Sequence, residues 1–312
     1  MIKPRPKNYT INATKDQKVA IGNARNVGII NEIEISSTQR DRVLRFVHSR
    51  LASPDKDKPF LIVTPNPEIV SLASKDKKLT KIINSADFTL PDGIGLAQAA
   101  KFLQLGSPKN RILRTFVLLG QGIIIGLATF FNKNWLFSSL ELIKGRDFFL
   151  ELMRLANKKS WRVFFLGGKD KVAEEAAEFL QKTLKKVNIA YAAGPMLNEA
   201  ATPVSDEDSM LEKRLVEKIN LFQPQLLFVG YGAPKQEKWL DKWLPKLKVG
   251  GAMTVGGTFD YISGHAKLPP AWMENLGLEW VWRLVTQPFR IKRILTAFPI
   301  FPIKVFIYKL NL

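Results

Sequence analysis

A carboxylate placed between the end of a strand and the start of a helix can serve as a general base, and Asp92 in LPDGIGL stands in that position. Its alternative is the ordinary N-cap of the helix that follows. In TPNPE, Thr64, Asn66 and Glu68 follow the apolar run PFLIV. Thr and Asn donate and accept hydrogen bonds, which suits sugar or ribose hydroxyls, and either can equally cap a helix. In LFVGYGAPKQEKW, an apolar strand passes through Gly230 and Gly232 into a helix opening at Pro234. The glycines allow a sharp turn and close approach to a ligand, and proline suits the first helical position. The free N–H groups of that first turn would face an anion. In TVGGTFDYISG, Gly256 and Gly257 permit the same approach and Asp260 follows.

Other chemistries are excluded by what is missing. The sequence contains no cysteine, so disulfides, thiolate metal sites and a cysteine nucleophile are ruled out; with only His48 and His265, so is a histidine-rich metal site. No P-loop lysine motif occurs. The glycines of LGGKDKVAEEA lack the third glycine and the distant acid of the dinucleotide fingerprint. The acidic run Ser205-Asp-Glu-Asp208 is expected to open a helix, and no cofactor or metal is expected. Against 28 acidic residues stand 47 Lys and Arg, a net charge of +19 that points to a polyanionic partner: nucleic acid, anionic lipid or a phosphorylated substrate.

These residues need a scaffold, and the pattern supplies one. Strands are expected at 59–64, 86–90, 161–166, 187–192, 225–230 and 249–255. Helices are expected at 40–51, 94–105, 146–157, 172–186, 207–221 and 234–244. Such alternation predicts an α/β, Rossmann-like, mainly parallel sheet with helices on both faces and ligands at the carboxyl ends of the strands. Residues 1–25 read as a polar, basic, flexible arm with no signal-peptide pattern, 26–266 as the α/β domain, and 267–312 as an aromatic and basic helical appendage expected to associate with a membrane. An insertion at about 107–142 contains TFVLLGQGIIIGLATFF, residues 115–131, uncharged and bracketed by Arg111, Arg114 and Lys133.

Taken in order, TPNPE, PDGIGL, FFLGGKDKVAE, LLFVGYGAPKQEKW, VGGTFDYISG and PPAWMENLGLEWVWRLVTQPFR resemble the WecG/TagA/CpsF family of bacterial glycosyltransferases over about 26–293. The resemblance implies transfer of a sugar, with N-acetylmannosamine the first expectation, from a UDP-sugar to a polyprenyl-diphosphate-linked saccharide with inversion. It also implies a location at the cytoplasmic membrane face, peripheral or monotopic, in the synthesis of a cell-surface glycan. A UDP-uronic acid or UDP-glucose donor, or an inactive sugar-nucleotide sensor, are the alternatives. By motif, Asp92 matches the base and Thr64 and Asn66 match polar site residues. Gln236 matches the glutamine of the nucleotide-sugar pocket, with Gly93 and Glu237 beside these positions in the same motifs. Arg283, Arg290 and Arg293 match basic residues thought to cover the diphosphate. One departure is Lys267-Leu-Pro269 where the family usually has Arg-Ala-Pro, which replaces a bidentate guanidinium by a point charge. The insertion is another.

Cationic groups can take the place of a metal on the departing diphosphate, so metal independence is expected. Nucleic acid is not an expected partner, because the positive charge lies beside long apolar runs and no nucleic-acid module is present. Self-association into a homo-oligomer is left open. As a helix, the 17 uncharged residues of the insertion span about 25 Å, short of a bilayer core of roughly 30 Å. A re-entrant or interfacial helix is therefore expected, against the alternatives of a buried helix or a subunit contact, and excision of 107–142 is expected to leave the fold intact.

Overall fold

The computed structural model describes residues 18–20, 33–36, 39–52, 58–168 and 170–312; most of the expected 1–25 arm lies outside them. From that arm, β1 (Lys18–Ala20) pairs antiparallel with β2 (Glu34–Ser36). The next elements are α1 (Arg40–Ala52), β3 (Phe60–Val63), α2 (Pro67–Ala73), α3 (Lys77–Ser85), β4 (Phe88–Thr89) and α4 (Ile94–Gln104). The insertion forms α5 (Arg111–Phe131) and α6 (Lys133–Phe137). After it come α7 (Gly145–Lys159), β5 (Arg162–Gly167), α8 (Val172–Gln181), β6 (Asn188–Ala192), α9 (Asp206–Phe222), β7 (Leu226–Gly230), α10 (Lys235–Trp243), β8 (Gly251–Thr254) and α11 (Thr258–Ile262). The appendage comprises α12 (Ala271–Asn275), α13 (Glu279–Thr286), α14 (Ile291–Leu295) and α15 (Phe301–Leu310).

Six strands form one parallel sheet in the order β4-β3-β8-β7-β5-β6. Successive side chains on a strand point to opposite faces, so each apolar run feeds two cores. Leu61, Val63, Phe164, Leu166, Leu227 and Val229 enter one, with Trp239, Leu240, Leu118 and Phe301. Phe60, Ile62, Val163, Phe165, Leu226 and Phe228 enter the other, with Phe148, Phe149 and Phe259. Burial on both faces is why these strands read as continuous apolar runs.

The short helices α2 and α3 add to the expected set, α2 following the cap that Asn66 offered as an alternative. Each opens on a side-chain cap, Asn66 accepting from the Ile69 N–H (2.9 Å) and Asp76 from the Leu79 N–H (3.0 Å). Ser205 does cap α9, accepting from the Asp208 N–H. α8 ends at Gln181, five residues before the expected boundary of 186.

α5 is longer than the uncharged run, because Asn110 caps it from outside by accepting from the Ile112 and Leu113 N–H groups. Its 21 residues span about 31 Å, so length alone does not exclude a crossing. The sheet does. β3 precedes α5 in the chain, β8 follows it, and the two strands are hydrogen-bonded neighbours. A single crossing at α5 would put them on opposite sides. α5 is not a buried core helix either, since most of its large apolar side chains are exposed. Excising 107–142 would remove Leu118, Ile125, Leu136 and Leu140 from the core, so the expectation that the fold tolerates that loss is withdrawn.

Candidate active site

The carboxyl ends of the four neighbouring strands β4, β3, β8 and β7 carry the motifs singled out in the sequence. Asp92 follows β4. The Leu90 N–H donates to Val63 O (2.8 Å) and the Asp92 N–H to Pro65 O (2.9 Å), which fixes the segment against the end of β3. Asp92 does not cap α4: Gly93 occupies that position with φ +92 and no side-chain cap is made. The carboxylate instead accepts from the Gly145 N–H at the start of α7. Burial pushes its pKa up to about 6, reinforced by the negative charge of Glu279 and opposed by Arg283, the Gly145 N–H and Lys144. A partly exposed carboxyl group that titrates just below neutrality suits general-base chemistry.

Thr64 and Asn66 lie beside it with their side chains engaged. Thr64 Oγ1 donates to Thr254 O (3.1 Å), and the Thr64 N–H donates to Thr254 Oγ1 (3.3 Å), which joins the ends of β3 and β8. A Cβ at Gly145 would stand 3.2 Å from Thr64 Cγ2, so glycine lets α7 begin directly against Thr64. Asn66 is the cap of α2, which leaves its side-chain oxygen committed to the Ile69 N–H.

The second cluster is organised by Gln236, on the first turn of α10. Its Oε1 accepts from the Gly232 N–H (3.2 Å) and the Gly256 N–H (3.1 Å), so one buried amide holds the loops after β7 and β8 together. Its Nε2 donates to Glu237 Oε1 (2.8 Å), which fixes the amide's orientation. Glu237 is buried; desolvation pushes its pKa up to about 7, with the Gln236 bond and Arg293 opposing and Glu68 reinforcing the rise. Its Oε2 has no hydrogen-bond partner among the described residues.

This arrangement changes the reading of the helix N-terminus. Pro234 is the N-cap, one position before the first helical residue. The Gln236 N–H bonds to Gly232 O (3.1 Å), and the Glu237 carboxylate takes its own N–H. A buried carboxylate already sits at the positive end of α10, which leaves less of that turn for a bound anion than the sequence suggests. Gly232 adopts φ +77, as the turn requires. Gly230 is needed for packing, because a Cβ there would meet the Phe259 ring at 2.9 Å.

Positive charge reaches the site from the appendage. A Cβ at Gly232 would stand 3.9 Å from Arg293 Nη1, and one at Gly257 3.8 Å from Arg290 Nη1. Arg283 lies over the Tyr261 ring (6.0 Å) and within electrostatic reach of Asp92. Burial and the like charges of Arg293 and Arg283 hold the Arg290 pKa below its usual value, with Asp260 the opposing carboxylate. Arg293 pairs with Glu68. The three arginines thus connect the Asp92 cluster to the Gln236 cluster.

An ion-pair network escaped the sequence reading. Lys144 bonds to Glu274 and Glu279, and Arg146 to Glu274 (3.1 Å) while lying over Tyr261 (5.9 Å). It joins the start of α7 to α12 and α13 beside Asp92. The one signal in the sequence is Gly145-Arg-Asp147 opening a helix straight after the insertion.

A parallel α/β sheet whose strand ends bring a carboxylate of raised pKa together with an arginine-rich cover has the form of a glycosyltransferase. The chain belongs to the WecG/TagA/CpsF glycosyl transferase family, which it matches over residues 29–119 and 116–312, two segments that meet inside α5. It is 30% identical over 237 residues, 76% of this chain and 75% of the relative, to the N-acetylglucosaminyldiphosphoundecaprenol N-acetyl-beta-D-mannosaminyltransferase of Bacillus subtilis (strain 168). Identity to the protein of the same name from Bacillus spizizenii is 29%, covering 78% and 77% of the two chains. To that of Staphylococcus aureus (strain NCTC 8325 / PS 47) it is 26%, covering 79% of each.

Replacing Gln236 with alanine is expected to lower folding stability by about 2 kcal/mol, since two loop N–H groups lose a shared acceptor in a site that water can partly enter. Donor KM should rise with it. A raised KM at an unchanged thermal midpoint would mean that the amide contacts the donor rather than holding the loops.

Proposed function

We propose that the chain transfers a sugar from a UDP-sugar to a saccharide linked to a polyprenyl diphosphate, with inversion and without a metal ion, at the cytoplasmic face of a membrane. The observation that carries this reading is the connection of Asp92 to Arg283, Arg290 and Arg293 at adjacent strand ends. N-acetylmannosamine is the first donor to test, because the relatives above are N-acetyl-beta-D-mannosaminyltransferases by name.

Asp92 accepts the proton of an acceptor hydroxyl as the hydroxyl oxygen attacks the anomeric carbon. The bond from that carbon to the diphosphate oxygen breaks, and UDP departs with the electron pair. Attack on the face opposite the leaving group inverts the anomeric centre. Arg290 and Arg293, over the glycine loops, neutralise the charge that grows on the diphosphate and thereby support transfer without a metal. Arg283, within electrostatic reach of both Asp92 and Arg290, links the base to the leaving-group side.

The test is UDP release by the purified full chain, given each UDP-sugar in turn with a short-chain polyprenyl-diphosphate-linked N-acetylglucosamine. Release with UDP-N-acetylmannosamine supports the reading as stated; release only with a uronic-acid or glucose donor keeps the reaction and changes the sugar. Nucleotide binding without release from any donor would leave a sensor and end the enzyme reading.

A further inference from the structure

α5 is built inside out. Its polar side chains face the protein: Gln121 donates to Gly106 O (2.7 Å) and accepts from Lys309 of α15 (2.8 Å), while Thr129 accepts from Gln98 of α4 (2.7 Å). Arg114 near its start donates to Pro108 O (2.7 Å) and to Leu310 O (3.3 Å). Leu118, Ile125 and Ala128 complete this inner face. The outer face carries Ile112, Phe116, Leu119, Ile123, Leu127 and Phe130, spaced by three or four residues. Ile112 is 73%, Phe116 69% and Ile123 65% exposed, so a continuous apolar stripe runs along the full length of the helix. In water that stripe is a standing cost; unpartnered patches of this size mark docking surfaces.

Charge selects the occupant. From Ser107 to Leu140 the chain has no acidic residue, and Lys109, Arg111 and Lys133 flank the stripe at its two ends. After Glu279 no acidic residue occurs either, and α15 beside α5 adds exposed Ile303 and Ile307. A second copy of the chain docked stripe to stripe would bring these basic rims together in a molecule of net charge +19. An anionic membrane surface presents hydrocarbon to the stripe and phosphate to the rims.

The helix also ends at the site. Thr129 is bonded to Gln98 of α4, the helix that follows Asp92. Gly277, two residues before Glu279, packs against Ile94, with a Cβ there only 3.5 Å from Thr129 Cγ2. We propose that the outer face of α5 is a lipid-docking surface, lying in the plane of an anionic membrane, that sets the rim of the Asp92 site at the headgroup level where a lipid-linked substrate is presented. One face of the helix packs on α4, α6 and α15, so it rests on the bilayer rather than spanning it. Docking itself is independent of the reaction assigned above; its consequence for the acceptor rests on that reading.

The full chain is floated with vesicles of phosphatidylglycerol and phosphatidylcholine, and with phosphatidylcholine alone. The combined variant Phe116→Ser, Ile123→Ser, Leu127→Ser is expected to bind the anionic vesicles at least about tenfold more weakly than the parent. Its circular dichroism should match the parent's and its thermal midpoint should fall by no more than a few degrees, since all three side chains are exposed and each serine costs the helix only about half a kcal/mol. Should it fail to fold, Arg111→Gln with Lys133→Gln tests the rim, and a loss of preference for anionic over neutral vesicles is expected. Binding equal to the parent's in a folded variant, or a loss of self-association with vesicle binding unchanged, overturns the proposal; the second result assigns the stripe to a second copy. Turnover separates this from the reaction. The serine variant should keep the parent's rate on a short, water-soluble acceptor and lose it on a long-chain acceptor in vesicles. A parent inactive on both acceptors rejects the reaction while flotation still judges the docking.

Discussion

Asp92→Asn is expected to lower turnover by about 10²- to 10⁴-fold while leaving UDP affinity nearly unchanged, because the amide keeps the shape and loses the basicity. The same substitution should stabilise the protein. Burial raises the Asp92 pKa from 3.8 to about 6, so between those values the folded chain holds a proton that the unfolded chain has released. Its contribution to stability is therefore present at low pH and is lost as pH rises through about 6. At about 1.4 kcal/mol per pH unit of displacement the ionised carboxylate costs at most about 3 kcal/mol at pH 7, and less to the extent that solvent reaches this partly exposed group; asparagine avoids that cost. Activity runs the other way: in the parent, kcat/KM should climb as pH passes about 6 and then level off, following the ionised base. Thermal denaturation of parent and variant from acid to neutral pH, beside a pH–rate profile, checks both. Near-normal turnover in the variant removes Asp92 from the role of base. A stability gap that does not widen toward neutral pH would show that the carboxylate is not held in the desolvated state described.

The elements that position this site were legible wherever one segment of chain carried the whole signal. PFLIV, LLFVG and the run ending at Leu166 are buried on both faces of the sheet, and their uninterrupted apolar character marks strands whatever their neighbours are. Asp92 stood out because the turn to α4 is written in adjacent residues. The ion pairs of Lys144 and Arg146 were not legible, since Glu274 lies 130 and 128 positions away from them and only the fold brings the partners together. Gln236 was recognised by its motif, while its double acceptance from Gly232 and Gly256 depends on β7 and β8 being neighbours. The helices α2 and α3, of seven and nine residues, are too short for a clear periodic pattern, and their caps carry most of the information. For α5 the composition showed an apolar helix but not which side faced out. That required the positions of Gln121 and Thr129, whose partners lie in α15 and α4.

Arg290→Ala should slow transfer by about 10²-fold, the usual loss when one donor to a developing charge is removed. Arg290 stands beside Arg283 and Arg293, with Asp260 the carboxylate that faces it, and burial together with this crowding of like charges holds its pKa below the ordinary guanidinium value. A cluster that repels itself is relieved by a bound dianion, and most strongly as the diphosphate gains charge on departure, so the loss should appear in kcat more than in KM. Stability should fall little, because relief of the repulsion from Arg283 and Arg293 offsets the lost contacts with Asp260 and the Phe289 ring. Arg290→Lys should recover part of the rate: it restores the charge without the planar fork that grips two oxygens. These residues also lie next to exposed Phe289 and Ile291, where a headgroup-binding role is the competing explanation. Rates measured in detergent, with no bilayer present, decide between the two. A drop that persists there places Arg290 on the leaving diphosphate, and a rate equal to the parent's in detergent leaves it the membrane role alone.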